Sequence, residues 1–207
     1  MTKYRFFFIT FFISVILDQA TKVWIESYYK CPGIPSIQQA ARQGKLENIP
    51  EISVIDGVFS FSHAHNQGAA FGIMQGQMLI FAIFTLIAVV WIGYTVHTLH
   101  KDDRSQSFAL ALIGSGAIGN AIDRVRLGYV VDFLRLYTDD VERAIWLRKN
   151  FGMAEWPSFN VADSAIVIGM IWFFIHGLFL VGDSNEIDDE LAGPDIYDEN
   201  EEQSSKV

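Results

Sequence analysis

The sequence has one cysteine, no basic excess and few charged residues, and each shortage excludes a class of protein. Cys31 has no partner within the chain, so an intrachain disulfide framework is excluded. Lysine and arginine number 15 against 24 acidic residues, which is not the charge balance of a nucleic-acid-binding protein. The sequence also lacks a Ser–His–Asp pattern and a helical metal-binding motif, so no familiar hydrolase signature is present.

The acidic excess is local and belongs to the last part of the chain. Ten of the 24 acidic residues and one of the 15 basic residues lie in residues 183–207. The preceding 182 residues therefore contain fourteen of each sign and have no net charge. This composition predicts a membrane domain over residues 1–182 and a disordered, solvated acidic tail over residues 183–207.

Apolar residues are what the sequence has in abundance: 51% of the chain is hydrophobic, including 17 phenylalanines. Four apolar segments have, or nearly have, the length needed to cross about 30 Å of hydrocarbon at about 1.5 Å per residue. They cover residues 4–25, 77–99, 108–122 with the residues that follow, and 162–181. We therefore predict an all-α membrane protein with four transmembrane helices, the first of them an uncleaved span rather than a signal peptide.

A small β-element is predicted in the first long loop. Alternating apolar residues between positions 52 and 61 surround the Asp56-Gly57 pair, which is a hairpin signature. His63 and His65 lie on the same side of the second strand and could ligate a metal ion. Two ligands do not make a site and the sequence shows no third one nearby, so we interpret them as a solvated strand end and predict no metal site.

Polar residues interrupt the apolar segments at one level of the membrane. Since consecutive spans alternate in direction, the ends of the first and third spans share a face with the starts of the second and fourth. Asp18 comes about 14 residues, or about 21 Å, into its span, and Asp123 comes about as far along the third. Asn66 precedes the second span and Asp163 begins the fourth. An ion pathway needs polar groups at several depths, so this placement favours a catalytic or binding cluster over a transporter.

Two questions stay open at this level. Asp18 and Lys22 are spaced i, i+4 and share a helix face, either as an interfacial ion pair that ends the helix or as a polar face inside the bundle. The orientation in the membrane is also undecided. By density, the basic residues before the first span and in the short loop 97–107 mark the cytoplasmic side, whereas by count the opposite loops hold more of them.

The parity of the spans places Asp132 and Asp163, 31 residues apart, at the same level on adjacent segments. Two neighbouring carboxyl groups do not both ionise easily, so one stays protonated while the other accepts a proton from water. Such a pair activates water against a peptide carbonyl and protonates the leaving amine. Asp163 taken alone is equally explained as a helix-dipole partner in a first turn that Asn160 caps.

Four motifs, in this order, resemble those of the bacterial lipoprotein signal peptidases, the signal peptidase II family, and the resemblance covers residues 4–182. They are Asp18-Gln19 with Lys22, the NQGAAFG run at 66–72, Gly119-Asn120 with Asp123-Arg124 and Val131-Asp132-Phe133, and Phe159-Asn160-Val161-Ala162-Asp163. Ser115 departs from the family, which usually has the first of two paired glycines at that position. The loops 26–60 and 136–158 are also long.

The resemblance implies an aspartic endopeptidase that cuts diacylglyceryl-modified prolipoproteins just before the lipidated cysteine, without a cofactor or metal. Its catalytic pair matches Asp132 and Asp163. The residues that bind substrate or support the site match Asp18, Lys22, Asn66, Gly68, Asn120, Asp123, Arg124 and Asn160. The resemblance further implies a multi-pass protein of the bacterial inner (cytoplasmic) membrane, with its site at the outer, periplasmic face and its tail in the cytoplasm. The implied partners are prolipoprotein substrates and membrane lipid, and not nucleic acid.

One alternative is a non-catalytic membrane module that binds lipid or lipoprotein, with Arg124 and Arg126 holding an anionic headgroup. It predicts binding without turnover, whereas the peptidase hypothesis predicts two products. A proton-coupled transporter is disfavoured by the single level of the polar residues. For a peptidase we also expect space for an acyl chain between the helices near the small residues at Gly116 and at 68–72.

Overall fold

The computed structural model of the protein describes residues 2–30, 51–68, 76–101, 103–153 and 155–191, with the side chains of the last helix described as far as Leu178. The helices are α1 (Lys3–Tyr29), α2 (Met78–Thr98), α3 (Arg104–Leu127), α4 (Val141–Phe151) and α5 (Val161–Leu191). The strands are β1 (Ile52–Ile55), β2 (Phe59–Asn66) and β3 (Val130–Leu136). Cys31, residues 69–72 of the second motif and the tail from residue 192 lie outside the described residues.

The described residues contain four helices that are long and apolar enough to cross a membrane: α1, α2, α3 and the Val161–Leu178 part of α5. The predicted fold class is thereby confirmed. Large apolar side chains such as Phe12, Leu86 and Phe174 are exposed on the outer faces of these helices, where lipid would cover them. The backbone of α5 continues as a helix to Leu191, and the division of the chain at residue 182 stays a prediction.

Helix α3 lies at the centre of the bundle, packed against α1, α2 and α5. Glycines allow this close approach: a Cβ atom added at Gly116 would lie 2.3 Å from the backbone oxygen of Ala162 in α5. At Gly119, a Cβ atom would lie 2.5 Å from Asp18 Oδ2. The predicted space for an acyl chain near Gly116 is therefore wrong, because the first turns of α5 already fill it.

The predicted hairpin is confirmed, and a third strand extends it. Strands β1 and β2 are antiparallel and joined through a turn in which Gly57 has a φ of 69°. Strand β3 pairs antiparallel with β2, so that Ala64 lies opposite Asp132 and Asn66 opposite Val130. Strand β3 was not predicted, because its near-continuous apolar run lacks the alternation that marks a half-exposed strand.

The start of α5 is held against β3 by main-chain hydrogen bonds. The amides of Phe133 and Leu134 donate to the oxygen of Phe159 at 3.0 and 2.8 Å, and the Phe159 amide donates to Leu134 at 3.0 Å. Between these partners lies the exposed helix α4, also not predicted, whose N-cap Asp140 accepts two backbone N–H bonds. This pairing brings Asn160, the residue after Phe159, beside the middle of β3.

Candidate active site

Asp132 lies in the middle of β3 and is buried, with 3% of its surface exposed. Its Oδ1 accepts a hydrogen bond from Asn160 Nδ2 at 2.8 Å, and its Oδ2 accepts one from Asn66 Nδ2 at 2.9 Å. Burial and the nearby charge of Asp163 raise the pKa of Asp132 to about 7, although the two amide bonds act in the opposite direction. Asp132 therefore holds a proton far more readily than an ordinary aspartate does.

Asp163 lies in the first turn of α5, and its carboxyl group is also held by amide donors. Asn120 Nδ2 donates to its Oδ1 at 2.7 Å. The backbone N–H of Asp163 donates to Asn160 Oδ1 at 3.0 Å, while the Asn160 N–H donates to Asp163 Oδ2 at 3.2 Å. Asn160 is thus the predicted N-cap of the helix, in a reciprocal capping arrangement. Because Asn160 also bonds Asp132, one residue joins the two carboxyl groups.

A second polar group is buried next to this pair. We call it the ion cluster, and it consists of Asp18, Lys22 and Asp123. Lys22 Nζ lies 3.0 Å from Asp18 Oδ2 and 2.9 Å from Asp123 Oδ2, with every side chain at most 3% exposed. Its third contact is Asn120 Oδ1 at 3.0 Å, so all three ammonium hydrogens have acceptors. Asp18 and Lys22 therefore form a polar face inside the bundle, and not an interfacial ion pair that ends the helix.

The ion cluster also holds the elements that carry the two aspartates. Asp18 Oδ1 accepts the N–H of Ala162, in the first turn of α5, at 2.9 Å. Asp123 Oδ2 accepts the N–H of Val131, next to Asp132 in β3, at 3.2 Å. Gln19 Nε2 lies 3.1 Å from both Asp18 Oδ2 and Asp123 Oδ1. Gln19 belongs to the first motif but is not among the predicted site residues.

Arg124 and Gly68 complete the network of predicted residues. Arg124 Nη2 donates to the backbone oxygen of Gly68 at 2.9 Å, and its guanidinium lies 4.3 Å from the centre of the Phe81 ring. The N–H of Gly68 donates to Asn66 Oδ1 at 2.9 Å, which orients the amide that holds Asp132. All ten predicted site residues therefore belong to one connected set of polar contacts. Arg126, by contrast, is exposed and reaches Gln19 instead of the carboxyl groups.

The electrostatic surroundings of the two carboxyl groups suit proton transfer. Within the described part of the chain, neither Asp132 nor Asp163 has a salt-bridge partner, and the donors to both are amides. Amides orient a carboxyl group without neutralising it, so the charge of one group opposes ionisation of the other. The charge of Asp163 favours a proton on Asp132, and such a pair with one proton can act as acid and base toward water.

The family model for signal peptidase (SPase) II matches residues 10–179 of the chain. The chain belongs to the signal peptidase II family. The resemblance stated from the motifs is thereby confirmed. This family member is a peptidase, and its four spanning helices make it a multi-pass membrane protein.

Relatives of this signal peptidase II family member cover most of its length. The protein named lipoprotein signal peptidase of Geobacter sulfurreducens is 39% identical over 170 residues, which is 81% of this chain and 88% of that protein. The one of Geobacter metallireducens is 37% identical over 171 residues, covering 81% and 87%. A solved structure described as a bacterial membrane enzyme, obtained by the in meso method at 2.3 Å, is 29% identical with a TM-score of 0.66 and covers 86% of this chain and 90% of that one.

In this signal peptidase II family member, the surroundings of His63 in β2 differ from the predicted solvated strand end. The side chain of His63 is only 7% exposed and its Nε2 lies 2.9 Å from Glu26 Oε1. The interpretation of a solvated strand end is therefore wrong. The first span was predicted to end near residue 25, whereas α1 continues to Tyr29. Its last turn brings Glu26 into contact with His63 of β2.

Proposed function

We propose that this protein is an aspartic endopeptidase in which Asp132 and Asp163 activate a water molecule to cut a peptide bond. The observation that carries the proposal is the bridge through Asn160, which contacts both carboxyl groups. Asn66 and Asn120 orient the other oxygens, so the two groups are fixed relative to each other. The alternative of a binding module gives no reason for two carboxyl groups to be held by one residue, Asp132 by the Asn160 side chain and Asp163 by the Asn160 backbone N–H.

The proposed reaction uses the pair as one acid and one base. Asp132, with its raised pKa of about 7, is the acid that supplies the proton, and Asp163 acts as the base. Asp163 removes a proton from water while the water oxygen attacks the peptide carbonyl carbon, and Asp132 protonates the carbonyl oxygen. The nitrogen of the tetrahedral diol then receives the proton held by Asp163, the C–N bond breaks and the amine leaves. One hydroxyl of the diol returns its proton to Asp132 as the carboxylic acid product forms, which restores the starting state of the pair.

We propose diacylglyceryl-modified prolipoproteins as the substrates, with the cut just before the lipidated cysteine. The names of the relatives support this substrate class. The carboxyl pair lies where β3 meets the start of α5, at one end of four helices whose outer faces are apolar. A substrate with its acyl chains in the bilayer would present its scissile bond at this level. We place the protein in the bacterial inner membrane, with the site at the outer face.

The test is cleavage of a defined precursor by the purified full-length protein in detergent. A synthetic precursor peptide with a diacylglyceryl cysteine is incubated with the protein, and the products are identified by mass spectrometry. We expect a signal peptide and a second peptide that begins with the lipidated cysteine, and no cleavage of the same peptide without lipid. Bound but intact lipidated peptide would contradict the proposal and support a binding module.

A further inference from the structure

Three side chains that the proposed catalysis does not use converge at the end of α1. Glu26 comes from the last turns of α1, and His63 and His65 come from β2. The ligating atoms of these three residues all lie within 4.8 Å of one another. Glu26 Oε1 is 2.9 Å from His63 Nε2 and 3.5 Å from His65 Nε2. Two imidazole nitrogens therefore lie close to one carboxylate oxygen. We call these three residues the Glu–His cluster.

Aromatic rings hold the two imidazoles of the Glu–His cluster in place. The Tyr29 ring stacks on His63 with centroids 4.8 Å apart, and the Tyr129 ring stacks on His65 at 3.7 Å. The two imidazoles meet edge to face at 4.8 Å. The Tyr129 hydroxyl also lies 3.4 Å from Glu26 Oε1. Rings fixed in this way lose little conformational freedom when they ligate an ion. In metal sites, neighbouring residues orient the ligating side chains in the same way.

The hydrogen bonding of the Glu–His cluster is incomplete. His65 Nε2 is buried, yet among the described residues it has no hydrogen-bond partner of acceptable geometry. The other oxygen of Glu26 pairs with Lys30 Nζ at 3.0 Å, and this lysine is 73% exposed. A buried polar nitrogen without a partner is unfavourable, and a cation between the three ligands would satisfy it.

We propose that the Glu–His cluster binds a divalent first-row transition metal ion, with Zn²⁺ as the best match. Two histidine nitrogens and one carboxylate oxygen are ligands that suit Zn²⁺, whereas Mg²⁺ and Ca²⁺ prefer oxygen alone. Ligands at about 2.1 Å in a tetrahedron lie about 3.4 Å apart, and Glu26 Oε1 lies 2.9 and 3.5 Å from the two histidine nitrogens. Small side-chain rotations complete the geometry, and the fourth position is left to water.

The place of the Glu–His cluster in the fold indicates what the ion does. It joins the end of α1 to β2, and His65 lies opposite Val131, the neighbour of Asp132 in β3. The next residue of β2 is Asn66, whose amide holds Asp132. The ion is therefore structural: it fixes the strand that orients the proposed catalytic group. No described contact joins the Glu–His cluster itself to Asp132 or Asp163.

Metal binding is tested on the full-length protein in detergent after chelator treatment and removal of the chelator. Zn²⁺ is titrated by calorimetry, and thermal unfolding is followed with and without the ion. We expect one high-affinity Zn²⁺ per chain and a higher unfolding temperature, since an ion that binds only the folded state stabilises it. His63→Gln and His65→Gln should each weaken binding at least as much as the roughly 10–100-fold loss known for supporting residues.

The matched control is His100→Gln, an exposed histidine that follows α2. It lies next to Lys101, whose backbone oxygen accepts the Lys3 amide at the start of α1, so it is at the opposite end from Glu26. This variant should bind one Zn²⁺ with unchanged affinity. Unchanged Zn²⁺ affinity in the His63→Gln/His65→Gln double variant would overturn the proposal.

A second measurement needs no variant. Co²⁺ added to the metal-free wild-type protein should give the intense visible absorption of a tetrahedral site, and excess Zn²⁺ should abolish it. Only a weak octahedral spectrum, or no saturable Co²⁺ binding, would overturn the proposal even if every histidine variant failed to fold. Neither readout depends on peptide cleavage, so the metal site and the proposed peptidase mechanism are tested separately.

Discussion

Two neighbouring sets of carboxyl groups in this protein differ in the groups that contact them. In the ion cluster, Asp18 and Asp123 share the ammonium group of Lys22. In the proposed catalytic pair, Asp132 and Asp163 receive amide hydrogen bonds and no salt bridge within the described residues. The same residue type thus serves two purposes, because the partner decides whether the carboxylate is paired with a cation or left free to exchange a proton.

The contrast has a direct energetic meaning. Removing the cation from a buried ion pair leaves an uncompensated charge, which is strongly destabilising. Removing the charge from one of two opposed carboxyl groups relieves repulsion and desolvation, although it also removes the proton chemistry. Substitutions in the ion cluster should therefore act mainly on stability, and those in the catalytic pair mainly on activity.

The largest effect is expected for Asp132→Asn and Asp163→Asn. Each change removes one partner of the acid–base pair without removing volume, so cleavage of the lipidated precursor should fall by at least about 10³-fold. Thermal unfolding in detergent should show that both variants still fold. The control is Asp140→Asn, because asparagine caps a helix as well as aspartate does and Asp140 is exposed at the start of α4. Substantial activity in either site variant would refute the proposed mechanism.

The next effect is on stability, and it concerns Lys22→Met. The change leaves Asp18 and Asp123 buried without their cation, so we expect a loss of about 3–5 kcal/mol in the free energy of unfolding. Chemical unfolding of the purified protein measures it. Lys149→Met, at an exposed position of α4, should change stability by less than about 0.5 kcal/mol. Equal effects of the two substitutions would mean that the ion cluster does not stabilise the fold.

A smaller loss is expected for Gly116→Ala. The new methyl group would meet the backbone oxygen of Ala162 at 2.3 Å, so α3 and α5 must move apart. Overpacking of this kind costs about 1–3 kcal/mol, and because α5 carries Asp163, precursor cleavage should fall as well. Gly93→Ala is the matched control, since nothing lies within 4 Å of its added Cβ. A Gly116→Ala protein with wild-type stability and activity would contradict the close helix contact.

The smallest effects are expected from pH. The pKa of Asp132 is raised to about 7, so cleavage should decline above about pH 7, approaching tenfold per pH unit as the proton is lost. A pH–rate profile with the lipidated precursor measures this decline. A rate that stays constant to pH 9 would show that no proton of the pair is required.

Stability should depend on pH through the same group. The pKa of Asp132 is higher in the folded state than its ordinary value of 3.8, so the folded protein binds more protons between about pH 4 and pH 7. The contribution of Asp132 to stability is therefore greatest below about pH 4 and is lost as the pH rises to about 7. Relative to wild type, Asp132→Asn should gain unfolding temperature over this range. A difference that does not change with pH would contradict the raised pKa.

Several features of the fold and site were predictable because they depend on local pattern. The spans follow from runs of apolar residues, and the β1–β2 hairpin follows from alternation around Asp56 and Gly57. Alternating span directions placed the polar residues at one end of the bundle, where the structure finds them connected. Other features depended on distant partners. Strand β3 forms by pairing with the edge of β2. Its own sequence carries no alternation that would have indicated a strand.

The wrong expectations had the same origin. Gly116 was assigned to an open space, but small residues fit an acyl chain and a neighbouring helix equally well, and α5 occupies the position. His63 was assigned to solvent because its partner Glu26 is 37 residues earlier in the chain. Neither outcome can be read from sequence spacing, since both depend on which surface packs against which.

The amino-acid sequence by itself predicted four segments long and apolar enough to cross a membrane, with polar residues gathered at one end, because hydrophobic length and alternating direction are properties of the chain alone. The motifs were also enough to indicate the family. Only the tertiary structure decided that Lys22 pairs with both Asp18 and Asp123, and that amides surround Asp132 and Asp163. The reason is physical: the pairing of a buried charge depends on distances across separate elements, which packing alone sets.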